Sequence, residues 1–188
     1  MRIELPPWPT PIPLGEGIEL RRWAAADADA LSAAEAANLE HLKPWMPWIA
    51  DGPGAPGARR RLLTEWEAAW EAGTERHLGI FDADRAIGSI AVMARIGAGA
   101  LEIGYWLDHR YTGRGIATAA ARSVTDLALS SPGIARVEIH HDRANSASAG
   151  IPRRLGFRLV DEVADEARAP GESGVSWVWE MTAARWQG

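Results

Sequence analysis

The stretch that most constrains the fold is residues 101–130, LEIGYWLDHRYTGRGIATAAARSVTDLALS, where the hydrophobic period changes within one short loop. Before the loop, Leu101, Ile103, Tyr105 and Leu107 alternate with Glu102, Gly104 and Trp106, the two-residue period of a strand with two distinct faces. After it, Ile116, Ala120, Val124 and Leu127 fall on one helical face. A strand, a glycine loop and an amphipathic helix in that order demand a layered α/β arrangement. Gly104 interrupts the strand, and a glycine there marks a bulge or a place where another backbone or a ligand comes close.

The loop itself, Arg110-Tyr111-Thr112-Gly113-Arg114-Gly115, has the form R-x-x-G-x-G. Amides at the start of a helix have no intrahelical acceptor and sit at the positive end of its dipole, and glycines let a large anion approach unobstructed. That geometry suits a pyrophosphate, with Arg110 and Arg114 as guanidinium forks beside it. The competing reading is a glycine-rich turn with two solvated arginines, and the loop alone leaves both open. A Walker loop is excluded because no Gly-Lys-Ser/Thr occurs. A dinucleotide fingerprint fits poorly, since its sixth position is Thr118 and five residues separate Leu107 from Gly113. Glu138 stands where a ribose-binding acid would, but there is a single βαβ unit.

A chain of 188 residues suits one domain with a full core. The expected organisation is a proline-rich arm over 1–17, one domain over 18–182 and a tail over 183–188. Pro6, Pro7, Pro9, Pro11 and Pro13 favour extended backbone in the arm and exclude a helix. No apolar run approaches the ~20 residues of a membrane span, and no signal peptide is visible, so a cytoplasmic address is expected. The absence of cysteine removes disulfides, thiolate metal sites and thiol nucleophiles. A net charge of −5, with no basic run beyond Arg59 to Arg61, argues against a nucleic-acid partner. The five histidines have no metal-ligand spacing, so no metal is expected.

Along the chain, the pattern predicts a first strand around Ile18–Arg22, a helix from an Asp27 N-cap to Leu42, and a second helix over 60–72. Between the helices, Trp45 and Trp48 sit on proline-stiffened backbone, either walling a pocket or plugging the core. Strands over 77–81, 86–95 and 101–107, joined by short turns, form an antiparallel meander. The strand bearing Val137 and Ile139 follows a crossover and is predicted parallel to 101–107. A short helix opened by the cap-like Asn145 and closed by Gly156 precedes two last strands, over 157–160 and 175–181.

This order, with R-x-x-G-x-G between the fourth strand and third helix, resembles the GNAT superfamily of acyl-CoA-dependent N-acetyltransferases. The segments Glu102-Ile103-Gly104-Tyr105-Trp106-Leu107, Leu42-Lys43-Pro44-Trp45-Met46-Pro47-Trp48 and Asn145-x-x-Ser148 followed by Leu155-Gly156-Phe157 resemble its Rim-type branch, which includes ribosomal-protein N-terminal acetyltransferases. The resemblance implies a single-domain α/β (α+β) fold, a mixed seven-stranded sheet with helices on both faces, and acetyl-CoA as acyl donor. It places pantetheine along Trp106 and Leu107, pyrophosphate on Arg110, Gly113, Arg114, Gly115 and Ile116, and a CoA contact at Asn145. The acceptor, a protein N-terminal α-amine or a small-molecule amine, would lie between Trp45, Trp48 and the loop 165–172. A homodimer is a further expectation from the family.

Direct attack of a neutral amine on the thioester needs a proton acceptor and help for the leaving thiolate. Glu102 is the first candidate base, with His140 and Asp142 as alternatives. Many relatives carry a tyrosine at the position occupied here by Pro152, which shifts attention to Ser148 one turn earlier. Pro152 also lacks the amide that would bond the Ser148 carbonyl, leaving a free acceptor near the site. The missing tyrosine keeps open a different class of function, a CoA-binding regulatory or interaction module without catalysis.

Overall fold

The computed structural model describes residues 4–188. Eight strands form one sheet in the spatial order β1-β2-β3-β4-β5-β6-β8-β7, with β1 Ile12–Gly15, β2 Ile18–Arg22, β3 Glu75–Asp82, β4 Arg85–Met93, β5 Ala100–Leu107, β6 Arg136–Asp142, β7 Arg158–Ala164 and β8 Val175–Thr182. The helices are α1 Ala28–Ala37, α2 Leu39–Leu42, α3 Pro56–Glu71, α4 Ile116–Leu129 and α5 Ser146–Arg154. All pairings are antiparallel except β5 with β6, the pair joined by the α4 crossover.

The alternation of β5 decides the layers. Leu101, Ile103 and Leu107 face one side and share a core with Ala120, Ala121 and Val124 of α4 and Ile151 of α5. On the opposite face a second cluster gathers Trp23, Leu31, Leu63 and Phe81 beneath α1 and α3. Each buried aliphatic side chain contributes roughly 1.5–3 kcal/mol, so the two clusters fix which face each helix covers. Trp23 meets Phe81 edge to face at 5.1 Å, and its indole N–H donates to the Ser89 hydroxyl at 3.1 Å. Among the described residues no helix is long and apolar enough to cross a membrane.

Among the described residues the sheet has eight strands where the resemblance implies seven. Residues 12–15, inside the proline-rich segment, turn back and pair with β2, Ile12 opposite Leu20 and Pro13 opposite Glu19. Pro13 is tolerated because β1 is an edge strand, and a residue facing outward needs no amide. A second correction concerns the predicted helix 27–42, which breaks at Asn38. That side chain is 1% exposed; its Nδ2 donates to the Ala34 carbonyl at 2.9 Å and its Oδ1 accepts the His109 amide at 3.0 Å. Asp27 precedes α1, but its carboxylate does not cap it. It holds Arg21 through two bonds of 2.8 Å and the Ala24 amide at 2.9 Å.

Candidate active site

The site begins where pairing stops. The parallel ladder of β5 and β6 runs from Ala100 opposite Arg136 to Ile103 opposite Ile139 and ends there. Gly104–Leu107 remain bonded to β4 on one edge, with Leu107 opposite Gly88, while the edge toward β6 is unpaired. Gly104 sits opposite Ala91 in unbroken register, so it marks no bulge. A Cβ built on it would touch only Met93, at 3.5 Å, so its lack of a side chain keeps the floor of a cavity bare.

Two cavities flank this opening. One, of about 480 Å³, runs from Trp106 and Leu107 past Gly113, Gly115 and Ile116 to Thr118 and Arg154. The other, of about 750 Å³, lies over the β5–β6 face, between Trp45 and Trp48 on one wall and Asp165, Arg168 and Glu172 on the other. Trp45, Met46, Tyr105, Trp106, Asn145 and Ser148 line both, so the cavities meet at that ring. The walls of the larger cavity touch: the Gly171 amide donates to the Pro44 carbonyl at 2.8 Å, and a Cβ at 171 would stand 2.6 Å from that oxygen. Trp48 is 47% exposed and faces Trp106 at 6.5 Å.

The smaller cavity has the features an anion requires. Gly113 and Gly115 have φ of +76° and +81°, and Gly115 is the N-cap of the 14-residue α4 with no side chain bonded to the helix start. Built Cβ atoms at Gly113 and Gly115 meet nothing within 4 Å. Among the described residues, no acceptor is found for the amides of residues 113–118, which face the positive helix end. The predicted arginines are placed otherwise. Arg110 folds onto Asp108, through Nε at 3.0 Å and Nη2 at 2.5 Å, and Arg114 pairs with exposed Glu16 at 3.0 Å above the Tyr111 ring. The guanidinium that does line the cavity is that of Arg154, held on the Thr118 hydroxyl by bonds of 3.2 and 3.0 Å. Sequence reasoning misses it because it belongs to α5, far along the chain from the loop it joins, though its place in the last turn of a short helix is visible.

In the larger cavity the candidate bases differ sharply. Glu102 is buried and both its oxygens are taken by Arg95, at 2.7 and 2.5 Å. Asp142 accepts the amides of Ala144 at 2.8 Å, Ser173 at 2.8 Å and Gly174 at 3.1 Å, so its carboxylate ties β6 to the loop before β8. Burial pushes its carboxyl up, and these bonds outweigh that effect and hold it below the ordinary range. His141 donates Nδ1–H to the Asp142 carbonyl at 2.8 Å and accepts the Trp179 indole on Nε2 at 2.9 Å, leaving neither nitrogen free; burial lowers its pKa.

His140 is arranged differently. Its Nε2 lies 2.7 Å from Glu138, a carboxylate that also takes Arg136 at 2.7 Å. Burial pushes Glu138 up, but the bonds from Arg136 and His140 leave it below the usual carboxylate value, hence ionised at neutral pH. An ionised partner calls for a proton on Nε2, so in the neutral ring Nδ1 is the acceptor nitrogen. Ser148, on the rim shared by both cavities, has its amide on Asn145 Oδ1 at 3.1 Å and its carbonyl on the Tyr105 hydroxyl at 3.1 Å.

The family model described as an acetyltransferase (GNAT) domain matches residues 18–158. The chain is similar to the protein named "Probable N-acetyltransferase YjcK" of Bacillus subtilis (strain 168), 32% identical over 175 residues, which cover 88% of this chain and 91% of the relative. Its fold is that of RimJ of Mycobacterium smegmatis, solved in complex with CoA-disulfide, with a TM-score of 0.80 and 23% identity over 91% of this chain and 84% of that one. The ribosomal-protein-S5-alanine acetyltransferase of Vibrio fischeri aligns with a TM-score of 0.83 and 21% identity, covering 93% and 97% of the two chains.

Proposed function

This chain belongs to the GNAT acetyltransferase family and is an acetyl-CoA-dependent N-acetyltransferase, and we propose that its acceptor is the free α-amine of a protein or peptide N-terminus. The observation that carries the reading is the unpaired edge at Gly104–Leu107, with a separate cavity on either side meeting at Tyr105 and Ser148. Two reactants can enter from opposite ends and meet without displacing each other.

Acetyl-CoA fits the smaller cavity by its chemistry. The open edge at Trp106 and Leu107 offers backbone groups to the amides of pantetheine as an added strand would. The free amides at Gly113, Gly115 and Ile116, with Arg154 beside them, suit the pyrophosphate. Arg110 stiffens the loop through Asp108, Arg114 adds positive charge at its rim, and Asn145 holds the start of α5. Bound acetyl-CoA would supply the acetyl thioester: the acceptor nitrogen bonds the acetyl carbon as the C–S bond breaks, and CoA leaves as a thiolate that takes its proton from solvent.

His140 is assigned the role of proton acceptor. With Nε2 committed to Glu138, its Nδ1 receives the amine proton directly or through one water, and the ionised Glu138 stabilises the imidazolium that results. Glu102, already bonded to Arg95, supplies negative charge that attracts an incoming ammonium. An α-amine titrates near about 7.7–8.0 and a lysine near about 10.4, so near neutral pH an appreciable share of the former is already deprotonated and ready for attack. Ser148 positions the first turn of α5, and Trp45 and Trp48 wall the acceptor. A cavity of about 750 Å³ between these tryptophans and the final hairpin admits a chain end of several residues. The Vibrio fischeri neighbour, named for an alanine of ribosomal protein S5, likewise has a protein acceptor.

The test has two stages. Calorimetric titration with acetyl-CoA, with NADH as control, is expected to show micromolar binding of acetyl-CoA alone. Hexapeptides with free Ala, Ser or Met N-termini are then compared by mass spectrometry with N-terminally blocked peptides containing lysine, and with spermidine. Acetylation confined to free N-termini is expected. Preferential modification of lysine or spermidine would overturn the acceptor assignment.

A further inference from the structure

In an α-helix the carbonyl of residue i accepts the amide of residue i+4. The partner of the Ser148 carbonyl should therefore be residue 152, which is Pro152 and has no amide hydrogen. The orphaned oxygen is taken from outside the helix: the Tyr105 hydroxyl, from the open half of β5, donates to it at 3.1 Å. On the same turn, Asn145 Oδ1 accepts the Ser148 amide at 3.1 Å. Ser148 is thus held at both backbone groups, one from the helix cap and one from the sheet. Burial pushes the Tyr105 phenol well above its ordinary value, so it keeps its proton and stays a donor at every working pH.

We propose that Tyr105 and Pro152 act together as one positioning device: the proline opens the first turn of α5 at a single carbonyl, and the tyrosine uses that carbonyl to fix the turn against β5. The consequence lies in where the tie is made. Tyr105, Asn145 and Ser148 all line both cavities, so the distance between α5 and the unpaired edge of β5 sets the width of the passage through which the two reactants meet. A residue with an amide at 152 would let α5 close its own ring, so the tyrosine would no longer be the sole donor to that carbonyl and the sheet's hold on the helix start would matter less. Tyr105 is a positioning residue here, since its hydroxyl reaches the site through Ser148.

The inference rests on the proposed acceptor only for its kinetic arm. Four proteins decide it: wild type, Tyr105→Phe, Pro152→Ala and the double variant. Amide hydrogen exchange over residues 146–151 is followed in each without any acceptor, and transfer from acetyl-CoA to an Ala-initiated hexapeptide is measured alongside. Tyr105→Phe is expected to accelerate exchange in the first turn of α5. It should lower kcat by about tenfold while holding KM for acetyl-CoA within about twofold, as loss of a hydrogen bond that matters mainly in the transition state would. In the Pro152→Ala background, where the substituted alanine supplies the missing amide, the same change should move either quantity by less than about twofold. Equal effects of Tyr105→Phe in both backgrounds would overturn the coupling, and unchanged exchange in Tyr105→Phe would remove Tyr105 from the positioning of α5. The exchange arm decides the matter even if the hexapeptide is not a substrate.

Discussion

The two halves of β5 differ in what lies beyond their edges. From Ala100 to Ile103 the strand is bonded to β6, and all four residues are buried; from Gly104 to Leu107 the β6 side is open, and Gly104, Tyr105 and Trp106 are half-buried. The closed half behaves as core. The open half leaves backbone groups free, and free backbone groups near apolar walls are costly unless a ligand or water takes them. The site is therefore an interrupted ladder, and something must prop the interruption open.

One prop stands at the far end of the open half. Asp108 follows β5 directly and is fully buried, and its carboxylate takes the Arg110 amide at 2.9 Å as well as the Arg110 guanidinium. Its own amide donates to the Ile87 carbonyl at 2.7 Å. The Arg110 guanidinium holds the Asp108 carboxyl far below the usual range. A depressed folded-state pKa means a stabilisation that is present above the unfolded value of about 3.9 and lost as pH falls below it. Asp108→Ala should cost about 3 kcal/mol in urea unfolding, the top of the range for hydrogen bonds to a charged group, because the buried carboxylate takes both the Arg110 amide and a guanidinium that is itself 44% exposed. The cost should shrink when unfolding is measured below about pH 4, where the wild-type carboxyl begins to lose its own contribution. A loss under about 1 kcal/mol at neutral pH, the worth of an exposed pair, would mean that the open half needs no such prop.

The next effect belongs to the cavity at the mouth of the opening. His140→Asn removes the acceptor nitrogen and should lower kcat about a hundredfold, the lower range for general-base catalysis, with acetyl-CoA affinity unchanged by calorimetry. Glu138→Gln, which keeps the shape but not the charge, should fall between this variant and wild type. Full activity in His140→Asn would return the role of base to another group. A smaller effect is expected at the donor end. Arg154→Ala should weaken acetyl-CoA binding about tenfold, the usual worth of a charge-assisted hydrogen bond to phosphate, and weaken CoA and acetyl-CoA alike because it is remote from the thioester.

Legibility in the sequence follows the range of the interactions. The β5–loop–α4 unit is readable because its signal is a change of period within a few residues, and the parallel β5–β6 pair follows from the crossover alone. Strand β1 is hidden by prolines that an edge strand accommodates. The break at Asn38 is invisible because its cause is a bond to the backbone of His109, 71 residues away. The arginines of the loop are recognisable by type, yet Arg110 has its carboxylate two residues earlier, in Asp108, a pairing that local sequence already offers. Pro152 shows the opposite case. Its missing amide announces a free carbonyl at Ser148, and only the fold can say that Tyr105 takes it.

The smallest predicted effect separates the two carboxylates that stand side by side on β5 and β6. Glu102 and Glu138 are register partners on neighbouring strands, and side-by-side like charges are destabilising unless each is neutralised. Arg95 offsets part of one charge and Arg136 part of the other. The difference is that Glu138 also touches His140, whereas Glu102 is bonded to an arginine that is 60% exposed at its side chain. Both oxygens of Glu102 are engaged by Arg95, so the role of base is given to His140 and not to Glu102. Glu102→Gln should therefore change kcat by no more than about threefold, against the roughly hundredfold expected of a lost general base. The change it does make should appear in KM for the peptide, where loss of a negative charge weakens attraction of the ammonium, and should fade in high salt as that attraction is screened. A fall in kcat of about a hundredfold would instead place the proton on Glu102, and the closed half of β5 would then carry chemistry of its own.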